Sequence, residues 1–187
     1  MTTEQHPLQP FLPAHAEILF LGSFPPPRAK WSMDFFYPNW INDFWRILGI
    51  VHFNDRSYFE VPGEKKFDRE KIIQFAEAKG IALYDTACRV NRLADNADDT
   101  MLEVIESTDV TRLLQSIPQC HTIATTGIKA SNLLMQHFGL KAIPGIGKPL
   151  TISVNGRTLQ WYRTPSSSRA YPLAFDKKVN EFRKLWE

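Results

Sequence analysis

Glu17-Ile18-Leu19-Phe20-Leu21 is a short apolar run halted by Gly22, and Ser23-Phe24-Pro25-Pro26-Pro27 behind it prevents continuation as either strand or helix. Three fixed φ angles and three missing N–H donors force a stiff turn there. A run without polar alternation has both faces covered, the pattern of a strand inside a parallel sheet. The pattern returns at Ile81-Ala82-Leu83-Tyr84, followed by Asp85-Thr86, and at His121-Thr122-Ile123-Ala124-Thr125-Thr126, closed by Gly127.

Helical patterns lie between these runs. Asn42 to Ile50 carries Phe44, Ile47 and Leu48 on one face, with Asn42 at the N-cap position. Asp68 to Lys79 spaces Ile72, Ile73, Phe75 and Ala76 at i, i+3, i+4 and stops at Gly80. Thr111 to Ser116 begins a short helix, Ile128 to Phe138 forms one that ends before Gly139, and residues 174 to 187 are amphipathic through Phe175, Val179, Phe182 and Leu185. Leu150 to Val154 and Arg157 to Arg163 flank Asn155-Gly156, a strong hairpin signal. The alternation predicts an α/β fold: a three-layer α/β/α sandwich around a central, mainly parallel sheet of about four strands. Residues 1 to 16, with three prolines, read as an N-terminal arm. A chain of 187 residues, 43% hydrophobic, suffices for one core, so a single domain over residues 1 to 187 is expected.

A net charge of +2 permits a nucleic-acid partner only through a local basic footprint. Cys88 and Cys120 lack metal-ligand spacing and read as reduced core thiols, so neither a cysteine-ligated zinc nor an iron–sulfur cluster is expected. No apolar run reaches about 18 residues and no leader pattern is present, which predicts a soluble, cytoplasmic chain with no membrane partner. A monomer is the expected state.

Open parallel sheets bind ligands at the carboxyl ends of their strands. Three loops, at 22 to 37, 85 to 92 and 164 to 170, should meet on that edge, the first carrying Arg28, Lys30, Trp31 and Met33. Its continuation, Phe35 to Trp45, holds six aromatic residues around two asparagines, an aspartate and a proline. Flat apolar walls with a few amide groups suit a planar heterocycle; the other reading is a hydrophobic loop tucked under the sheet. Asn42 is either a helix cap or a functional amide. Cys88 to Asp99, with Arg89, Asn91, Arg92 and Asn96, is a polar connection that either faces a ligand or is solvated. Lys129 stands at a helix amino end, where exposed amides favour an anion. Lys148, in the Pro144-Gly145-Ile146-Gly147-Lys148-Pro149 loop, is available for a phosphate, although the P-loop ending is absent.

Several motifs in order resemble the uracil-DNA glycosylase superfamily, most closely its hypoxanthine-DNA glycosylase-like branch, over roughly residues 17 to 186. Leu21-Gly22-Ser23-Phe24-Pro25-Pro26 resembles the branch's Gly-Ser-Leu-Pro-Gly motif, and Tyr37 to Trp45 its Tyr-x-His-Pro-x-Asn-x-Phe-Trp motif. Ala82-Leu83-Tyr84-Asp85 is similar to its Leu-Trp-Asp strand end, Thr126-Gly127-Ile128-Lys129-Ala130 to its Asn-Gly-x-x-Ala turn, and Pro165-Ser166-Ser167-Ser168 to its Pro-Ser-Thr-Ser loop.

The resemblance implies a monofunctional DNA glycosylase of base excision repair that is metal-independent and uses no cofactor. Such an enzyme flips a deaminated base, hypoxanthine or uracil, out of DNA and hydrolyses its N-glycosidic bond. It places Asn42 in the catalytic position and Tyr37 as the stacking aromatic, with Ser23, Phe24 and Asn39 also at the base. Ser166 and Ser168 would bind backbone phosphate, Arg169 would probe the duplex, and Thr164, Lys148 and Lys129 would add DNA contacts. Asp43 is a further candidate base. Phe24 stands where the mismatch-specific uracil branch has a water-positioning Asn, and a phenyl ring cannot orient water. The family's His-Pro pair is Asn39-Trp40 here, and the histidine that precedes Pro-Ser in the uracil-specific branch is Thr164. The alternative is a catalytically silent DNA-binding module of the same fold; a nucleoside or small-nucleotide hydrolase is a third possibility.

Overall fold

The computed structural model describes residues 2–94 and 98–187. Its central sheet has five strands: β2 (Ile18–Gly22), β3 (Ile81–Asp85), β6 (Thr122–Thr126), β7 (Leu150–Val154) and β8 (Arg157–Thr164), in spatial order β3-β2-β6-β8-β7. Four run parallel and only β7 is antiparallel, so the expected sheet of about four parallel strands stands. The β7–β8 hairpin turns on Asn155 and Gly156, both at positive φ (49° and 76°), as a primed two-residue turn requires.

The helices are α1 (Phe44–Phe53), α2 (Arg69–Ala78), α3 (Val110–Ser116), α4 (Ile128–His137) and α5 (Phe175–Arg183). They cover both faces of the sheet, which explains the unbroken apolar runs. Phe20 of β2 is fully buried between α1 and α5, edge-on to Phe44 at 5.2 Å and stacked on Phe182 at 6.2 Å. On the opposite face Thr125 Oγ1 lies 2.8 Å from Ser131 Oγ of α4 and accepts the indole N–H of Trp161 at 2.9 Å. Side-chain caps set two helix starts: Asp68 accepts from the Lys71 amide and Asp109 from the Arg112 amide.

A second sheet, absent from the sequence-based expectation, is built from β1 (Thr2–Gln5), β4 (Ala87–Arg92) and β5 (Leu102–Ser107) in the order β1-β4-β5, all antiparallel. The N-terminal arm is therefore partly a strand. The polar connection that starts at Cys88 is another as far as Arg92, and the polar side chains of that part are used in or beside this sheet. Arg92 pairs with Glu4 (2.6 Å) and donates to the Pro25 carbonyl, Arg89 meets Glu106, and Asn91 donates to Glu103. Asn96 lies outside the described residues. The cysteines form no disulfide; Cys120 is buried, whereas Cys88 is only half-buried on β4 and is not a core thiol.

At the other end of α1, His52 packs against Trp186 (4.5 Å) and Phe75 (5.0 Å), and its buried Nε2 has no hydrogen-bond partner. Burial first, and the nearby Lys79 charge second, bring its pKa down from 6.5 to about 4. The folded value lies below the unfolded one, so the unfolded chain takes up the proton first. Stability is complete above pH 6.5 and falls as pH drops towards about 4. We expect a loss of about 1–2 kcal/mol across that window once solvent screening of this half-exposed ring is allowed for. Urea denaturation at stepped pH checks this, and His52→Phe should remove that part of the slope.

Candidate functional site

From β2, an inner strand of the sheet, the chain passes to β3 on one side and later to β6 on the other. The strand order therefore reverses at β2, and crevices open at the carboxyl ends of such strands. A cavity of about 530 Å³ lies there. Gly22, Ser23 and Phe24 border it from the end of β2, Asp85 from β3, Thr126 from β6, and Ser166, Ser167 and Ser168 from the loop after β8. Tyr37, Asn39 and Asn42 close the remaining side. Of the expected loops, the first and third meet here as anticipated; from the second only Asp85 does, because residues 87 to 92 continue as β4.

Both readings of the Phe35–Trp45 stretch hold, and Phe35 and Phe36 belong to the core and border the cavity at once. Phe35, Phe44 and Trp45 are buried in the core, as is Phe36, whose carbonyl accepts the Trp45 indole N–H. Tyr37 is half-buried and lines the cavity. Its φ of 51° is in the left-handed region, strained for an aromatic residue. Two contacts hold it there: the ring lies flat on Phe44 (3.7 Å, 7°), and its hydroxyl is 2.9 Å from Thr126 Oγ1. Gly22 makes room for this arrangement. A Cβ at Gly22 would collide with Asp85 Oδ1 and touch the Tyr37 hydroxyl at 3.4 Å.

Asn42 serves the helix and the cavity together. The N-cap residue of α1 is Asp43, one position later than expected, yet Asn42 Oδ1 accepts the Phe44 amide N–H at 2.9 Å. With the oxygen turned to the helix, the NH₂ end is left for the cavity that Asn42 lines. Asn39 is similar: its Oδ1 accepts the Ile41 amide at 3.2 Å, and it lines the same wall.

Asp43 is a clamp, which removes it as a free base. Its buried carboxylate accepts two hydrogen bonds from Arg169 (Nε 3.0 Å, Nη2 2.9 Å) and a long one from Arg46 (3.4 Å). Its amide donates to the Ser167 carbonyl. Arg169 is thus tied to the start of α1 rather than extended towards a duplex. Ser166 and Ser168 line the cavity, with hydroxyls accepting from the Ser168 and Ala170 amides. Lys178 Nζ donates to the Ser168 carbonyl at 2.6 Å; burial pushes its pKa down, Arg169 adds to the fall and Asp43 opposes it.

Three expected DNA contacts lie off the cavity wall. Thr164 is buried, its hydroxyl bonded to the Thr125 carbonyl, so it has no surface to offer. Lys129 donates to the Leu102 carbonyl at 2.6 Å, spanning α4 and β5. Lys148 is exposed on a turn closed by its own amide to Gly145. Lys30, read only as part of the covering loop, is exposed on the cavity rim.

The feature that sequence reasoning missed is the pair Asp85 and His6, with His6 Nε2 2.9 Å from Asp85 Oδ2. An acid at the carboxyl end of an apolar run was a readable signal, whereas His6 sits in a proline-rich segment without periodicity. Asp85 also bears on its neighbour: burial, then Cys88, then Asp85 raise the Tyr84 phenol to about 12. Among the described residues no three His, Cys, Asp or Glu side chains gather as a metal ion would need, and no helix is long and apolar enough to cross a membrane.

No family model and no curated protein matches the sequence. Among solved structures, the chain is similar to a solution NMR structure from Methanosarcina acetivorans that bears the name "putative Uracil DNA glycosylase". The TM-score is 0.65 at 21% identity, covering 99% of this chain and 97% of the other. At that identity the likeness establishes the fold, a uracil-DNA glycosylase-like α/β sandwich.

The Asp43 clamp predicts an asymmetry between its partners. Asp43→Ala should cost about 1 kcal/mol, because Arg46 keeps Glu60 and the Trp40 and Asn42 carbonyls, and Arg169, 44% exposed, is left to water. Arg169→Ala should cost about 3 kcal/mol, because it leaves the buried Asp43 carboxylate with only long contacts to Arg46 and Arg56. Urea denaturation of the two variants makes the comparison, and hydrogen exchange at residues 166 to 169 should rise in both.

Proposed function

We propose that this protein is a monofunctional DNA glycosylase that flips out a deaminated base, hypoxanthine or uracil, and hydrolyses its N-glycosidic bond. One observation carries the reading: the cavity at the strand carboxyl ends combines an aromatic wall, Tyr37 and Phe24, with the Asn42 amide and a serine-lined mouth. The family resemblance of the motifs and the shared fold support it. An extruded base costs a few kcal/mol of stacking and pairing, which flat aromatic contact and edge hydrogen bonds recover.

The Asn42 NH₂ group would donate to the departing base as negative charge develops on it, a stabilisation available only when the donor is already aimed. Ser166 and Ser168, beside the mouth, suit the phosphates that flank the target nucleotide, and Lys30 on the rim adds a positive charge for them. Arg169 would contribute by shaping this loop through Asp43.

Duplexes with a single uracil, hypoxanthine or xanthine, incubated with the protein and then treated with alkali, test the reading. Scission at the lesion is expected. Asn42→Asp keeps an oxygen for the Phe44 amide but loses the NH₂ donor, so scission should fall about 10²-fold or more with little change in melting temperature. Lesion binding without scission by the unaltered protein would identify a silent DNA-binding module instead.

A further inference from the structure

Lys178 lies in α5 and is only 2% exposed, an unusual place for a charged side chain. Its Nζ donates to the Ser168 carbonyl at 2.6 Å, on the loop whose serines line the cavity mouth. Asp43 and Arg169 are the charges that act on it, and its Nζ lies 5.7 Å from the Tyr171 ring. Asp43 is shared in turn with Arg46 and Arg56, and Arg46 also holds Glu60. On α5 itself Glu181 is taken by Lys184, while Asp176 and Lys177 are exposed. Four cations, Arg46, Arg56, Arg169 and Lys178, thus stand around two carboxylates, Asp43 and Glu60. A lysine needed only for packing would be better replaced by an apolar side chain, because burying unmatched charge is costly.

The carbonyl that Lys178 holds belongs to the Ser168–Arg169 peptide. That peptide is trans, so the Arg169 N–H projects from the opposite edge of the same plane, away from the ammonium. The Arg169 N–H donates to none of the described residues, and its neighbours Ser168 and Ala170 line the cavity. A cation on the carbonyl oxygen polarises the peptide and strengthens its N–H as a donor. The serine hydroxyls are similarly poised. Ser166 Oγ accepts the Ser168 amide and Ser168 Oγ accepts the Ala170 amide, both at 3.2 Å, so each keeps its O–H proton for an outside acceptor. A backbone bridge between Ser168 and Asn42 fixes the loop against the cavity wall. Three donors therefore stand in front of a buried positive charge, an arrangement suited to a tetrahedral oxyanion.

We propose that Lys178 is the positioning residue of a phosphodiester site: it fixes and polarises the peptide whose Arg169 N–H, with the Ser166 and Ser168 hydroxyls, receives a phosphate beside the extruded nucleotide. The proposal rests on the glycosylase reading for the nucleotide being extruded from DNA. The phosphate supplies the negative charge that the cluster lacks, so the cost of burying Lys178 is recovered only in the complex. Burial holds the Lys178 pKa below the ordinary lysine value, and Asp43 only partly offsets this. The protonated form is the one that attracts phosphate. Affinity should therefore fall as pH rises through that lowered value, whereas exposed lysines keep their charge to about pH 10.4.

The test is equilibrium binding, by fluorescence anisotropy, to a duplex with one tetrahydrofuran abasic analogue, which has no target base to titrate. The same duplex with uncharged methylphosphonates on both sides of the analogue is the comparison. Lys178→Gln keeps an N–H donor for the carbonyl without the charge, and Lys178→Met keeps neither. At pH 7 both variants should lose about tenfold or more in affinity for the phosphate duplex. On the methylphosphonate duplex they should stay within about twofold of the wild type, because the partner of the charge is already gone. Lys178→Gln should also abolish the alkaline fall. Equal losses on the two duplexes, unchanged affinity in the variants, or an alkaline fall that persists in Lys178→Gln overturns the assignment. If neither variant folds, the wild type decides: the difference between its two duplexes should shrink as pH rises from 7 to 9.5, and a constant difference overturns the assignment. Strand scission at uracil or hypoxanthine separates the two proposals. Scission without coupling between Lys178 and the phosphates leaves the glycosylase and removes this inference; coupling without scission does the reverse.

Discussion

The cavity depends on one close approach. In the parallel register of β2 and β3, Gly22 stands opposite Asp85, and the space a Cβ would take is filled by the Asp85 carboxylate and neighboured by the Tyr37 hydroxyl. Any side chain at position 22 would push the acid off the floor and the tyrosine off the wall. The glycine does not serve a left-handed turn, since its φ is not among the positive ones. It is needed for space alone.

The aromatic segment is organised by the same economy of room. Phe44 belongs to the core, packed against Phe20 and Phe182, yet its face is the surface on which Tyr37 lies. Core packing therefore supports the cavity wall. The strained backbone at Tyr37 persists because the ring stack and the hydroxyl bond to Thr126 hold it in place from both ends. Asp43 performs a comparable task for the opposite wall, joining the start of α1 to the serine loop through Arg169 and the Ser167 carbonyl.

The main sheet was legible because a strand covered on both faces writes itself as an uninterrupted apolar run, and Gly22, Gly80, Gly127 and the Asn155-Gly156 turn mark the breaks. The small sheet was not. β1 and β4 pair through backbone, Glu4 pairs with Arg92, and Arg89 and Asn91 reach Glu106 and Glu103 of β5, so no hydrophobic period betrays them. In the candidate site, Tyr37, Asn39 and Asn42 were readable from one local stretch, as was the serine loop. Asp85 and His6 were not linked, because 79 residues separate them in sequence and only the fold of the arm brings them together. Thr164 and Lys129 looked like surface contacts for the converse reason: a threonine at a strand end and a lysine at a helix start carry no sign of being spent on internal carbonyls.

The small sheet has a further property. β5 is its outer strand, with β4 on only one side, and such a border offers unpaired amides and carbonyls to any other extended chain. Leu102-Glu103-Val104-Ile105-Glu106-Ser107 would be an adhesive ribbon if it were wholly apolar, and Ile105 is indeed 45% exposed. Glu103 and Glu106 interrupt it, so stacking one molecule's border on another's would bring like charges together. The acids that tie Asn91 and Arg89 to the sheet thus also guard the molecule against growing into a fibre.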